Sequence, residues 1–448
     1  MIGRFRGCFA VMAVLAQLVA IRPVAAAQAQ PYPDSGSPAT YEKLRHQIAG
    51  IKLFDNHGHP GLPDDADVDA MSIPADSSLP FRLREGNSEF AAAARALFGY
   101  PYADFASEHV SSLVKEKQRL RESLGAAYFS HILDQVGIET AVANRVSMPT
   151  YLQTTRFRWV FFVDAFLFPL NNQAMASKNP DLKLNVPLEE KLLKRYMAQA
   201  HLDQLPGNFA EYLAFASSIL EANKKAGAVG IKFEIAYFRP LLFSDPGQEQ
   251  AATTYSKYVH GGTVPEADYR DLQDFMFRYL LGEAGRLHLP VQIHTAVGAG
   301  DYFNLTGGNV MNLENILRDP RYENVTFVLL HGGFPFEREA IWLAARKNVY
   351  LDSSLMGLFL YPRELKNALR QWFELFPEKV VFGSDTFPIS DSLGAEESYW
   401  LATESARSAV AGALAEMVSE KEISEQQALA MAHAYLHDTA SRIYSGGF

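Results

Sequence analysis

Phe54-Asp55-Asn56-His57-Gly58-His59-Pro60 closes a short apolar run, Ile51 to Phe54, that reads as a buried strand. Side chains alternate along a strand, so His57 and His59 are expected on one side of its end. Two neutral imidazoles held that way can share one borderline metal such as zinc. Gly58 has no side chain and would let the backbone come close to whatever is bound. Taken alone, the same residues also describe a polar turn with two partly exposed histidines. Residues further along the chain separate the two readings.

Seven further apolar, β-rich runs recur: Gly137 to Val146, within Arg156 to Leu170, Ala228 to Ala236, Pro290 to His294, Val325 to His331, Asn348 to Ser353 and Lys379 to Asp385. Near-continuous apolar runs suit strands covered on both faces of a parallel sheet. Helical patterns separate most of them: Pro187 to Gln204, Phe209 to Lys225, Ala267 to Leu287, Phe336 to Arg346 and Arg363 to Phe373. Eight strands alternating with helices predict an α/β fold, a (β/α)8 TIM barrel. The short link between the second and third runs is where this count is weakest. Residues 62–135 form a long insertion after the first strand, with Ala91 to Phe98 and Glu108 to Ser123 helical; over a barrel mouth it is a candidate lid. From Glu396 to Tyr444 the chain is again helical, expected to pack on the barrel exterior.

The 448 residues are 48% hydrophobic and 21% charged, enough for a large core. With a net charge of −10 and no basic cluster, neither nucleic acid nor an anionic membrane surface is an expected partner. Arg4 and Arg6, the apolar run Phe9 to Ile21 and Ala25-Ala26-Ala27 have the anatomy of a signal peptide over residues 1–27. The run is too short for a spanning helix. A secreted or periplasmic protein is therefore expected, with a leader at 28–50, a barrel at 51–448 and no membrane contact after processing. Cys8, the single cysteine, lies in the signal. The mature chain then has no disulfide, thiolate ligand or cysteine nucleophile.

The predicted strand ends carry metal-type residues. Strand one ends in His57 and His59, strand five in His294, strand six in His331 and strand eight in Asp385, while strand four contains Lys232. In a barrel these ends converge on the carboxyl face, where active sites are built. Asn-His-Gly-His-Pro, Ile-His-Thr, Leu-His-Gly-Gly and Gly-Ser-Asp together resemble the amidohydrolase superfamily. The likeness is greatest to the amidohydrolase-related branch that includes the amino-terminal domain of fungal FluG proteins. It covers about residues 50 to 445 and is densest from Gln292 to Pro388.

The resemblance implies roles. His57 and His59 would bind a first divalent metal, expected to be Zn(2+), with Asp385 closing that site and His294 a further ligand. His331 would bind a second metal or stand free as acid/base or electrophile, giving one or two metals per chain. Lys232 would bridge two metals if carboxylated; otherwise it would pair with Glu234 or a substrate carboxylate. Metal-activated hydroxide would attack an amide or related C–N bond, or an ester, with Asp385 moving the proton.

Arg145, Tyr237 and Arg239 are candidate substrate binders, the arginines suiting a small molecule with a carboxylate. Gly298, Gly300 and Asp301 mark a loop after strand five expected to move. Two other functions stay open: a metal-dependent non-oxidative decarboxylase of a small carboxylic acid, and a binding protein on a barrel without catalysis. No Gly-x-Ser-x-Gly elbow supports a serine hydrolase. A homo-oligomer is compatible with all of these.

Overall fold

A computed structural model describes residues 37–62, 78–390 and 392–445. Eight strands form one sheet: β1 (Leu53–Gly58), β2 (Ile138–Asn144), β3 (Phe157–Phe162), β4 (Gly230–Phe233), β5 (Val291–Ile293), β6 (Phe327–Leu329), β7 (Val349–Asp352) and β8 (Val380–Val381). They lie in chain order and every neighbouring pair is parallel. Asn56 N donates to Phe382 O at 3.1 Å and Asp385 N to His57 O at 2.8 Å. These bonds bring the end of β8 alongside β1, as barrel closure requires. Seven of the eight predicted runs hold a whole strand, and β1 begins in the first run and continues to Gly58. The β2–β3 link contains no helix, so this crossover departs from the regular βα repeat.

The helices show how local signals set boundaries. Phe209–Lys225 starts where Asn208 caps it, its side chain accepting from Glu211 N at 2.9 Å. The helix read as starting at Pro187 begins instead at Pro180. There Asn179 accepts from Leu182 N at 2.8 Å, and proline at the first position lacks only an N–H that would be unpaired anyway. Ala395–Ser419 is buried on most of its circumference and along most of its length, Glu396, Glu397 and Arg407 included. It packs against Pro362–Leu375, Pro38–Ala49 and Ser88–Phe98.

Three expectations change here. Residues 38–49, read as part of a leader, are a helix whose Tyr41, Leu44 and Ile48 are buried against the body. The carboxyl-terminal segment does not stay outside the barrel. Ala440, Ile443 and Tyr444 join Phe54, Val142, Val160, Val328 and Val381 in one cluster, and Tyr444 Oη reaches Gln292 Nε2 on β5 at 2.7 Å. The helix Ser107–Leu124, in the predicted lid, is pinned to the start of Ala395–Ser419. Lys117 Nζ lies 2.6 Å from Glu397 and Arg121 2.8 Å from Glu396, with Lys117 and both glutamates buried. The signal-peptide reading lies outside the described residues, as does part of the insertion.

Tyr444→Phe is a direct probe of this contact between the carboxyl-terminal segment and β5. It would leave one buried N–H of Gln292 without its acceptor, at a cost of about 1–3 kcal/mol. Urea unfolding should show the midpoint falling with an unchanged slope. An unmoved midpoint would mean that water replaces the hydroxyl.

Candidate metal centre

The strand ends deliver their side chains to one buried point on the carboxyl face. His57 Nε2 lies 2.9 Å from Asp385 Oδ1, and His59 Nε2 lies 3.5 Å from the same oxygen. His331 Nδ1 is 3.9 Å from Asp385 Oδ2, and His331 Nε2 is 3.0 Å from His294 Nδ1. Glu234 Oε2 stands 3.3 Å from His294 Nδ1, and Lys232 Nζ pairs with Glu234 Oε1 at 2.6 Å. One ligand atom each from His57, His331 and Asp385 fall within 4.8 Å of one another.

Backbone geometry aims these groups. His331 and Asp385 have φ of 61° and 51°, the left-handed region that side chains rarely adopt. The glycines after His331 are required: Gly332 and Gly333 also have positive φ, and a methyl on Gly332 would strike Trp372. Gly58 was expected to make room for a ligand. What approaches it is protein, since a methyl there would come 3.0 Å from Thr386 Cγ2 and 3.1 Å from Ser384 Oγ.

Hydrogen bonds set the His57 proton. Gln292 Nε2 donates to Asn56 O at 2.8 Å and to Tyr444 Oη at 2.7 Å, which fixes its amide orientation. Gln292 Oε1 then faces His57 Nδ1 at 3.3 Å and must accept from it. The Nε2 lone pair of His57 is left pointing at the Asp385 carboxylate. No hydrogen-bond donor reaches that buried nitrogen among the described residues. Two electron-rich atoms 2.9 Å apart in a dry site call for a cation, so the donor set fits a divalent metal.

Burial holds the imidazoles neutral. Desolvation lowers His57 and His294 well below the usual histidine value, helped for His57 by Lys232 and for His294 by His331. Desolvation takes His331 down to about 3. These groups stay neutral when folded but take up protons near pH 6.5 when unfolded. Their contribution is therefore complete above about pH 6.5 and lost as the pH falls from there towards 3. In thermal melts between pH 7.5 and 5 each histidine should lower stability on the acid side by up to about 1.4 kcal/mol per pH unit, opposed by Asp55 and Asp352, whose carboxyls burial pushes up to about 8 and about 7. His294→Asn should remove one histidine's share of the acid loss, and an unchanged pH profile in that variant would contradict neutral burial. Metal loss on acidification acts in the same direction.

Of the candidates read from sequence, His57, His59, Lys232, His294, His331 and Asp385 meet in the barrel. Tyr237 stands beside them, its ring centre 4.6 Å from that of His294. Arg145 is at the rim, where its Nη1 donates to Pro60 O at 2.6 Å and steadies the turn after His59. Arg239 is not in the site. It pairs with Asp274 at 2.6 Å and donates to Gln273 Oε1 and Leu242 O. The chain turns through Ile235–Tyr237 after β4, which carries Arg239 towards the helix Glu266–Arg286. The loop after β5 is tied down by Tyr302 N donating to Asp181 at 2.8 Å.

Sequence reasoning missed Asn56, Asn144, Gln292, Asp352 and Ser354. Gln292 could have been found, because it lies two residues before His294 and so faces the same way along β5. Asp352 ends β7 as His331 follows β6, but nothing near it marked a ligand.

A model of the amidohydrolase family matches residues 210–446, more than half of the chain. The protein belongs to the amidohydrolase family. Among curated relatives it is similar to protein fluG of Emericella nidulans, 27% identical over 428 residues. The match takes in 91% of this chain and 47% of that protein, so the chain spans about half the relative's length. Solved folds resemble this amidohydrolase more distantly. Glucuronate isomerase from Caulobacter crescentus superposes with a TM-score of 0.63 at 14% identity, covering 92% of this chain and 96% of that one. A proposed metal-dependent hydrolase from Lactobacillus casei ATCC 334 gives 0.57 at 18% identity, over 90% and 97%. At those identities the likeness is one of fold. Family membership indicates a metal-dependent enzyme acting on a small molecule. Among the described residues no helix is long and apolar enough to cross a membrane.

Proposed function

We propose that this amidohydrolase is an exported hydrolase of an amide or related C–N bond, with esters as further substrates. The observation that carries the reading is the convergence of His57, His331 and Asp385, with His59 at its edge, on one buried point among neutral imidazoles. His57, His59 and Asp385 would hold a divalent ion, with His331 or His294 completing the set. Such an ion supplies a Lewis acid for a carbonyl and water of lowered pKa.

The chain's own residues do the rest. Asp385 offers a carboxylate oxygen beside His57 and a second oxygen facing His331, so one carboxylate can orient the nucleophilic water and take its proton. The same group can return that proton to a departing amine. His331, pulled down to about 3, is neutral at working pH and serves as a lone-pair donor, not as an acid. Tyr237 and Phe303, with ring centres 5.1 Å apart beside His294, give the substrate an apolar wall. With Arg239 turned away, that wall replaces the expected arginine clamp for a carboxylate.

A one-metal decarboxylase is the second reading. For that reading Lys232 stays unmodified and keeps its pairing with Glu234 at 2.6 Å. Export rests on the signal-like amino terminus. The test is metal content of protein purified without chelators, followed by a screen of amides and N-acyl amino acids for released amine. One divalent ion per chain with amine release supports the hydrolase. One ion with carbon dioxide release moves the assignment to the decarboxylase, and no metal after reconstitution removes both.

A further inference from the structure

The end of β7 faces the centre without supplying any of its proposed ligands. Ser354 Oγ lies 3.0 Å from His331 Nδ1, and Ser354 O lies 3.4 Å from the same nitrogen. Behind the serine sits Asp352. Its Oδ1 accepts from Asn56 Nδ2 and from Ser354 N, each at 2.9 Å, and its Oδ2 takes a short hydrogen bond from Ser354 Oγ. His331, Ser354, Asp352 and Asn56 are all essentially solvent-free. The neighbouring strand leaves room for this group through Gly383, where a methyl would run into Asp352, Ser354 and Asn56 together.

The directions of these bonds follow from the donors available. Two N–H groups occupy Asp352 Oδ1, and above about pH 7, the value to which burial pushes this carboxyl, Oδ2 is left to accept the serine hydroxyl. With its proton given to Asp352, Ser354 Oγ can only accept from His331. The other groups near His331 Nδ1, Ser354 O and Asp385 Oδ2 at 3.9 Å, are acceptors as well. We propose that Ser354, oriented by Asp352, is a positioning residue that holds the His331 proton on Nδ1 and turns the Nε2 lone pair into the centre. There Nε2 meets His294 Nδ1 at 3.0 Å. His294 Nε2 faces Val297 O at 2.9 Å and must donate to it, so its Nδ1 also presents a lone pair. Two converging lone pairs suit a shared cation, and the outer serine and aspartate keep the ring so aimed.

The proton position can be read without a substrate. The experiment is 15N-histidine NMR of the full chain, as purified and after dialysis against a chelator, with His331 signals assigned by their loss in His331→Asn. Wild type and Ser354→Thr should carry the proton on Nδ1, and Ser354→Ala should show a mixture after dialysis. Asp352→Asn should invert the tautomer. Its amide oxygen must replace Oδ1 to keep two donors, so its NH2 faces Ser354 Oγ and frees the hydroxyl to donate to His331. A proton on Nε2 in dialysed wild type, or on Nδ1 unchanged in both Ser354→Ala and Asp352→Asn, would overturn the proposal. Should Ser354→Ala not fold, Asp352→Asn and Ser354→Thr still decide it. The kinetic consequence rests on the hydrolase reading: Ser354→Ala should lower kcat about 10–100-fold with KM little changed, and Ser354→Thr should recover it. A screen that finds no substrate would sink that reading and leave the NMR result standing.

Discussion

Lys232→Met is expected to lower the unfolding free energy by about 3–5 kcal/mol, because it removes the ammonium 2.6 Å from the buried Glu234 carboxylate. Asp164 lies behind Glu234 and accepts from its backbone N–H at 2.8 Å. Burial, together with the Glu234 charge, pushes the Asp164 carboxyl well up. This pocket already has more carboxylate than it can ionise, and lysine is its counterweight. Replacing both partners, as in Lys232→Met with Glu234→Leu, should recover most of the loss, since an apolar pair of similar volume avoids desolvating two charges. Guanidinium unfolding of the two variants measures the difference. Recovery in the double variant with metal content unchanged would establish a structural ion pair. Metal lost from both variants, with no recovery of stability, would return Lys232 to the bridging role that strand position first suggested.

Asp385→Asn should lower turnover by about 10²–10⁴-fold with little change in melting temperature. The amide keeps the shape of the carboxylate and the backbone bond from Asp385 N to His57 O at 2.8 Å, so the β1–β8 closure survives. It cannot take a proton, and its NH2 would turn a donor towards the His57 lone pair. Metal affinity should fall as well, so activity is to be measured with Zn(2+) in excess. Full restoration under excess metal would reduce Asp385 to a ligand alone. A persistent loss assigns it the proton transfer.

Much of the architecture was legible because strands buried on both faces need unbroken apolar runs, and each of the eight left one. The metal-type residues were legible for a related reason. A barrel brings all its strand ends to one face, so histidines and an aspartate at several such ends had to converge. Element boundaries were less legible. Pro187 offered a helix start, but the cap formed by Asn179 and Pro180 lies about two turns earlier and takes precedence.

What the sequence determined by itself was the strand count, the direction in which the strands run and the identity of the groups gathered at their ends. All of these follow from residue type and local periodicity. Only the tertiary structure decided which groups touch. Arg239 left the site because a turn after β4 aimed it at Asp274, and Lys232 took Glu234 because both were sealed away from water. Tyr444 entered the barrel from the far end of the chain to hold Gln292, and through it His57. Ser354 and Asp352 found His331 across a strand boundary. Apart from Lys232–Glu234, which strand alternation already offered, these are contacts between residues distant in sequence, set by packing and by the need to pair every buried polar group, and no local pattern records them.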